Sequence, residues 1–115
     1  MSVMEKTKPA AWIEVGSTAD ILPRTARRYR APVGDVAIFR TGDDMFYALI
    51  DKCPHKGGPL SQGIVHGHAV TCPLHAWNIE LATGRPQGPD SEHGCATTVP
   101  LQIRDGRIFL AAGLV

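Results

Sequence analysis

The sequence predicts an all-β fold, an antiparallel sandwich or small barrel of short strands. Three observations point there. Twelve Gly and nine Pro are spread through 115 residues, a density that suits tight turns. Apolar runs are short and recur between those turn residues, and long helices are not expected. Near the C-terminus, apolar and polar residues alternate about an Asp-Gly pair, as in a hairpin.

Taken in order, Ala11-Trp-Ile-Glu-Val15 reads as a first strand ended by Gly16, and Ser17-Thr-Ala-Asp-Ile21 as one helical turn before Pro23. Tyr29 to Pro32 and Asp35 to Arg40 read as strands separated by Val33-Gly34. Met45-Phe-Tyr-Ala-Leu-Ile50 follows the turn residues Thr41-Gly-Asp-Asp44, which makes a hairpin. In the C-terminal hairpin, Val99, Leu101 and Ile103 alternate with Pro100, Gln102 and Arg104. A turn at Asp105-Gly106 pairs Arg104 with Arg107, Ile103 with Ile108 and Leu101 with Leu110. Both aliphatic pairs then share one face, and the two arginines meet at a small local cost.

The length allows one domain, residues 1–115, with residues 1–10 a polar, loose tail. A 43% hydrophobic and 20% charged composition is that of a globular chain rather than a disordered one. Twelve Lys and Arg against eleven Asp and Glu leave a net charge of +1, which excludes polyanion binding driven by bulk charge. The N-terminus lacks the apolar run of a signal peptide, and nothing approaches the roughly 18 apolar residues of a membrane span. The expected setting is cytoplasmic, where three cysteines stay reduced unless they hold a metal.

Between about residues 52 and 94 the pattern changes. Gly and Pro become denser, apolar runs shorten, and two of the three cysteines and all five histidines fall there, with Cys95 just beyond its end. Such a segment builds little core by itself, so something besides hydrophobic burial is expected to organise it. Cys53-Pro-His55 and Cys72-Pro-Leu-His75 are the informative pieces, C-x-H and C-x-x-H with sixteen residues between them. Each half offers one thiolate and one imidazole at metal-ligand spacing. The turn formers Pro54, Gly57-Gly58-Pro59 and Pro73 suit two rigid loops facing a shared centre, with backbone N–H groups around Lys56, Gly57, Leu74 and Ala76 placed to donate to sulfur. Three readings compete. Chance placement fits poorly with two mirrored clusters. A structural Cys2His2 zinc site usually draws paired cysteines from one knuckle. The third is a [2Fe–2S] centre in which two histidines replace two cysteines on one iron, and the spacing favours it.

Cys53-Pro-His-Lys-Gly-Gly-Pro-Leu60 and Cys72-Pro-Leu-His-Ala-Trp77 resemble the two cluster-binding loops of Rieske proteins. The longer run from Cys53 to Gly67, with Leu60-Ser-Gln-Gly-Ile-Val-His-Gly67, resembles the small subunit of assimilatory NAD(P)H-dependent nitrite reductase, and the likeness extends from about Trp12 to Leu110. The resemblance implies a Rieske-type β sandwich or barrel with a cluster-binding subdomain inserted at about residues 52–94. It implies a Rieske [2Fe–2S] cluster with Cys53 and Cys72 on one iron and His55 and His75 on the other. A Gly- and Pro-rich third loop covers the cluster in that family, and Thr83-Gly-Arg-Pro-Gln-Gly-Pro89 is the candidate here.

Replacing two thiolates by two neutral imidazoles removes negative charge and raises the potential above that of four-cysteine clusters. High-potential Rieske proteins tie the loops with a disulfide and place Ser and Tyr hydroxyls near the sulfurs. The corresponding positions here are Gly58 and Leu74, and Trp77 and Ile79. A potential in the lower part of the roughly −150 to +300 mV Rieske range follows.

His66 and His68 flank Gly67 with no cysteine at ligand spacing, and they, like His93, read as surface or rim residues. Cys95 reads as an ordinary buried thiol. Arg24, Arg27, Arg28 and Arg30 read as a solvated strand edge; the competing reading, shared with Lys56, is docking of an acidic partner. Tyr29 alone is interleaved with them, short of the series of stacking aromatics of a single-strand nucleic-acid site. Trp12 and Trp77 read as packing residues rather than electron relays.

The function expected is one-electron transfer, with substrate chemistry left to a partner chain. The nitrite reductase resemblance implies a large reductase subunit carrying flavin, siroheme and a further iron–sulfur cluster, which reduces nitrite to ammonia in nitrate assimilation. Two alternatives are a free-standing Rieske ferredoxin serving an oxygenase system and a structural, metal-stapled interaction module.

Overall fold

The computed structural model describes residues 12–31, 34–53, 58–73, 77–87 and 96–111. Among them nine strands form three antiparallel sheets: β1 (Trp12–Ser17), β2 (Thr25–Ala31), β3 (Gly34–Arg40), β4 (Phe46–Ile50), β5 (Ile64–His66), β6 (Ala69–Thr71), β7 (Asn78–Glu80), β8 (Leu101–Arg104) and β9 (Arg107–Ala111). The sheet orders are β1-β9-β8, β2-β3-β4 and β5-β6-β7. The all-β expectation holds; two single 3₁₀ turns, Thr18–Asp20 and Leu60–Gln62, are the helical elements among these residues.

The β2-β3-β4 sheet is the middle layer, and its alternation explains the arrangement. Side chains at successive strand positions point to opposite faces, and paired residues share a face. Val36 pairs with Tyr29 and Ile50, and Ile38 with Arg27 and Ala48. Val36, Ile38 and Ala48 pack with Ile108 and Leu110 of the β1-β9-β8 sheet and with Ile21 and Val99. On the opposite face Ala37, Phe39 and Leu49 pack with Val65, Val70 and Ile79 of the small third sheet. All four of Val36, Ala37, Ile38 and Phe39 are buried, so the unbroken apolar run of β3 reflects packing on two sides. Each large side chain so enclosed stabilises the fold by about 1.5–3 kcal/mol.

The C-terminal hairpin has the expected register: Leu101 faces Leu110, Ile103 faces Ile108 and Arg104 faces Arg107. Both turn residues take positive φ, 51° at Asp105 and 75° at Gly106, which suits the strand twist. The two arginines are drawn apart: Arg107 pairs with Glu14, and Arg104 lies 5.1 Å over the Phe109 ring. Their mutual repulsion is thereby offset.

Several boundaries differ from the sequence reading. β1 continues through Gly16 to Ser17, with a register irregularity between Glu14 and Gly16 that absorbs the glycine. The helical turn is capped by Ser17, whose hydroxyl accepts from Ala19 N–H while Asp20 accepts from Ser17 N–H. β2 starts at Thr25 rather than Tyr29, because its Thr-Ala-Arg-Arg start pairs fully with β3 although it lacks apolar alternation. A segment at residues 97–99 extends the middle sheet beyond β4: Ile50 N–H donates to Thr97 O at 2.8 Å and Val99 N–H to Ala48 O at 2.9 Å. It leads into β8, and so joins the middle sheet to the β1-β9-β8 sheet.

The largest correction concerns the segment between β4 and β8. It contributes Leu60, Val65, Val70, Ile79 and Leu81, all buried, to one of the two cores. Three strands of three residues each carry no readable alternation, yet Val65, Val70 and Ile79 line up in register and face Phe39 and Leu49. Hydrophobic burial against the middle sheet does organise this segment. The N-terminal tail lies outside the described residues.

Candidate metal centre

Cys53 lies three residues beyond β4 and Cys72 follows β6 directly. Both are withdrawn from solvent, at 2% and 1% exposure, in the core cluster that holds Phe39, Leu49, Leu60 and Ile79. No disulfide joins them. Each opens a loop closed in the same way. Cys53 N–H donates to Gly58 O at 2.8 Å, and Cys72 N–H donates to Trp77 O at 2.7 Å. Two six-residue spans, 53–58 and 72–77, are therefore each tied end to end by a backbone bond, and each begins on a buried thiol. Their tips, with His55, Lys56, His75 and the backbone N–H groups expected to face sulfur, lie outside the described residues.

Side chains clasp both loops at their bases. The Asp51 carboxylate, 1% exposed, accepts from Ser61 N–H at 2.7 Å, from Ser61 Oγ–H at 2.6 Å and from Arg28 Nε–H at 2.9 Å. It bridges the residues that precede and follow the first loop. Around the second loop, Thr71 Oγ–H donates to Asn78 Oδ1 at 2.6 Å, and His66 Nε2 lies 2.7 Å from Thr71 Oγ1. The sequence reading missed Asp51. Its signal was slight: one acid directly after a strand and two residues before a candidate ligand.

The third loop is described as far as Gln87. It folds against β7, with Glu80 N–H donating to Arg85 O and Gln87 N–H to Asn78 O, both at 2.8 Å. Gly84, at φ +75°, accepts from Ala96 N–H at 2.7 Å. Trp77 and Ile79, where high-potential relatives were expected to place hydroxyls, sit in the apolar cluster beside both cysteines.

His66 and His68 are exposed, as expected for rim residues. His68 also ties two turns together: its Nε2 lies 2.9 Å from Asp43 Oδ2 and its Nδ1 3.1 Å from Tyr47 Oη. Hydrogen bonds from the Thr41 hydroxyl and then from His68 hold the Asp43 carboxyl below its ordinary value of 3.8. Arg27 and Arg30 are exposed on edge strand β2, as a solvated edge requires, whereas Arg28 differs by its ion pair to Asp51. Trp12 is half-buried and Trp77 buried, which fits packing roles. Cys95 and His93 lie outside the described residues.

Among the described residues no group of three or more His, Cys, Asp or Glu forms a metal site. Two thiols in a dry, apolar setting suit soft-metal ligation but supply half of a four-ligand shell. Comparison with known proteins decides which centre this is. The Rieske [2Fe-2S] domain family matches residues 11–100. The chain belongs to that family.

This Rieske domain is 33% identical over 106 residues to the ferredoxin CarAc of Metapseudomonas resinovorans, covering 87% of this chain and 92% of that one. It is 32% identical over 111 residues to the anthranilate 1,2-dioxygenase ferredoxin subunit of Burkholderia cepacia, covering 96% of this chain and 100% of that one. Among solved structures, the complex of reduced oxygenase and oxidised ferredoxin in carbazole 1,9a-dioxygenase contains a chain that matches at TM-score 0.76 and 30% identity, over 87% of this chain and 92% of that one. A structure described as a nitrite reductase NADPH small subunit matches at TM-score 0.78 and 24% identity, over 89% and 99% of the two chains. The last likeness establishes the fold alone. The Rieske domain takes a Rieske [2Fe–2S] cluster, so the zinc reading and the reading by chance fall away. No helix among the described residues is long and apolar enough to cross a membrane.

Proposed function

We propose that this protein is a Rieske ferredoxin that passes single electrons to the oxygenase component of a multicomponent oxygenase. In this reading Cys53 and Cys72 hold one iron and His55 and His75 the other. The whole chain forms one domain, with about residues 52–94 as its cluster-binding part. The observation that carries the choice of partner is the 32% identity to a dioxygenase ferredoxin subunit along its full length. It favours an oxygenase over the nitrite reductase large subunit.

The cluster supplies reversible one-electron chemistry at a potential raised by its two neutral imidazole ligands. The chain's own residues set its surroundings. Leu60, Ile79 and Phe39 keep water from the cysteine side, and Trp77 closes the second loop over it. A low-dielectric wall on that side confines electron exchange to the histidine edge, where Lys56 stands next to His55 in sequence. No nucleic-acid or membrane partner is invoked.

A second reading keeps the chain as the small subunit of an NAD(P)H nitrite reductase, beside a large subunit with flavin, siroheme and an iron–sulfur cluster. The run from Cys53 to Gly67 supports it. Stopped-flow reoxidation separates the two. The reduced protein is mixed with a Rieske oxygenase component and, separately, with a nitrite reductase large subunit isolated without its small subunit. Rapid, saturable electron transfer to the oxygenase is expected. Transfer only to the reductase, with stable 1:1 co-purification, would move the assignment to the second reading.

A further inference from the structure

Asp51 differs from every other acid in an ion pair among the described residues. Its side chain is 1% exposed, whereas those of Asp35, Asp43, Asp44 and Glu14 range from 35% to 64%. Three donors converge on its two oxygens, from Ser61 N–H, Ser61 Oγ–H and Arg28 Nε–H, and all three lie within 2.9 Å. Arg28 reaches it from β2, with its own side chain 40% exposed and a second carboxylate, Asp35, 3.7 Å away.

A loop clasp alone does not require a charge. A neutral Asn or Ser would satisfy the Ser61 N–H, and withdrawing a carboxylate from water costs several kcal/mol unless it is well paired. The position of this charge is what matters. It is two residues from Cys53 in the sequence and almost sealed from solvent, so its field passes through protein rather than water. We propose that Asp51 and Arg28 are positioning residues that form an opposed charge pair and tune the electron affinity of the centre. The enclosed Asp51 disfavours the added electron, and the more exposed Arg28 offsets it. The inference rests on Cys53 as an iron ligand.

The test measures midpoint potentials of the cluster-loaded protein by spectroelectrochemical titration, with iron and acid-labile sulfide used to normalise loading. Asp51→Asn is expected to shift the potential upward. Arg28→Gln is expected to shift it downward by a smaller amount, because solvent and salt screen the guanidinium more strongly. The double variant should return toward the wild-type value, and Arg28→Lys should stay near it. A brace of purely structural importance would weaken folding in all of these without opposite shifts. Shifts of one sign, or none, would overturn the inference. Should Asp51→Asn lose its cluster, Arg28→Gln against Arg28→Lys decides alone: a downward shift rescued by Lys supports it, and equal potentials refute it. Cys53→Ser tests the underlying ligand assignment separately, because full iron and sulfide retention there would remove the premise whatever the charge variants show.

Discussion

Gly84 lies where the third loop meets the strand leading to the middle sheet, and replacing it with Ala should be costly for two separable reasons. Its φ of +75° is left-handed, which costs an L-residue about 1–2 kcal/mol. A Cβ there would also stand 3.0 Å from the Ala96 carbonyl carbon and still closer to its oxygen, both rigid backbone atoms. Relief requires the two segments to part, which strains the Ala96 N–H to Gly84 O bond of 2.7 Å, worth about 0.5–1.5 kcal/mol. Lost packing of Ala96, at 5% exposure, adds to this. The sum is roughly 3 kcal/mol. Gly67 provides the control, because its φ is +54° and a Cβ there meets nothing within 4 Å. Gly67→Ala should therefore cost only the strain, about 1–2 kcal/mol. Urea unfolding of both variants at equal cluster loading reads the difference, expected to be roughly 1–2 kcal/mol on these figures. Equal midpoints for the two would refute the close approach of the third loop to Ala96.

Other outcomes follow from the same packing and chemistry. Phe39→Ala empties the centre of the core that holds both cysteines, and should destabilise the protein by about 3–5 kcal/mol in urea unfolding. Asp43→Asn tests the turn-to-turn contact through pH. Because the folded carboxyl is held below 3.8, its contribution is present above that value and vanishes as pH falls through the folded pKa. Wild type should thus unfold at higher urea than the variant at neutral pH, and the gap should close in acid. A gap that widened on acidification would contradict the assignment. Redox titration should give a midpoint below zero, in the lower part of the roughly −150 to +300 mV Rieske range, because apolar Trp77 and Ile79 stand beside the cysteines.

What could be read from the sequence follows the range of the interactions involved. The C-terminal hairpin was legible to its register, since period-two alternation and an Asp-Gly turn act within ten residues. The helical turn at Ser17 was legible because its cap is local. The start of β2 was not: Thr25 to Arg28 are held by β3 pairing, and an edge strand needs little apolar pattern of its own. The β5-β6-β7 sheet was hidden for a related reason. Each strand contributes one or two core side chains, and their common face exists only against Phe39 and Leu49. At the centre, the two cysteines announced themselves by their spacing, and both are buried in one cluster as a shared site demands. Asp51 was passed over because its meaning lies in Arg28, twenty-three residues away, and Ser61, ten residues away.

In the proposed function Cys53, His55, Cys72 and His75 surround one [2Fe–2S] unit. Nitrogen hyperfine spectroscopy of the reduced, iron- and sulfide-replete protein, labelled with ¹⁵N-histidine, tests that directly. Two coupled imidazole nitrogens are expected, with one lost in His55→Cys and the other in His75→Cys. A spectrum without coupled histidine nitrogens, or a preparation that holds zinc and no acid-labile sulfide, would contradict it.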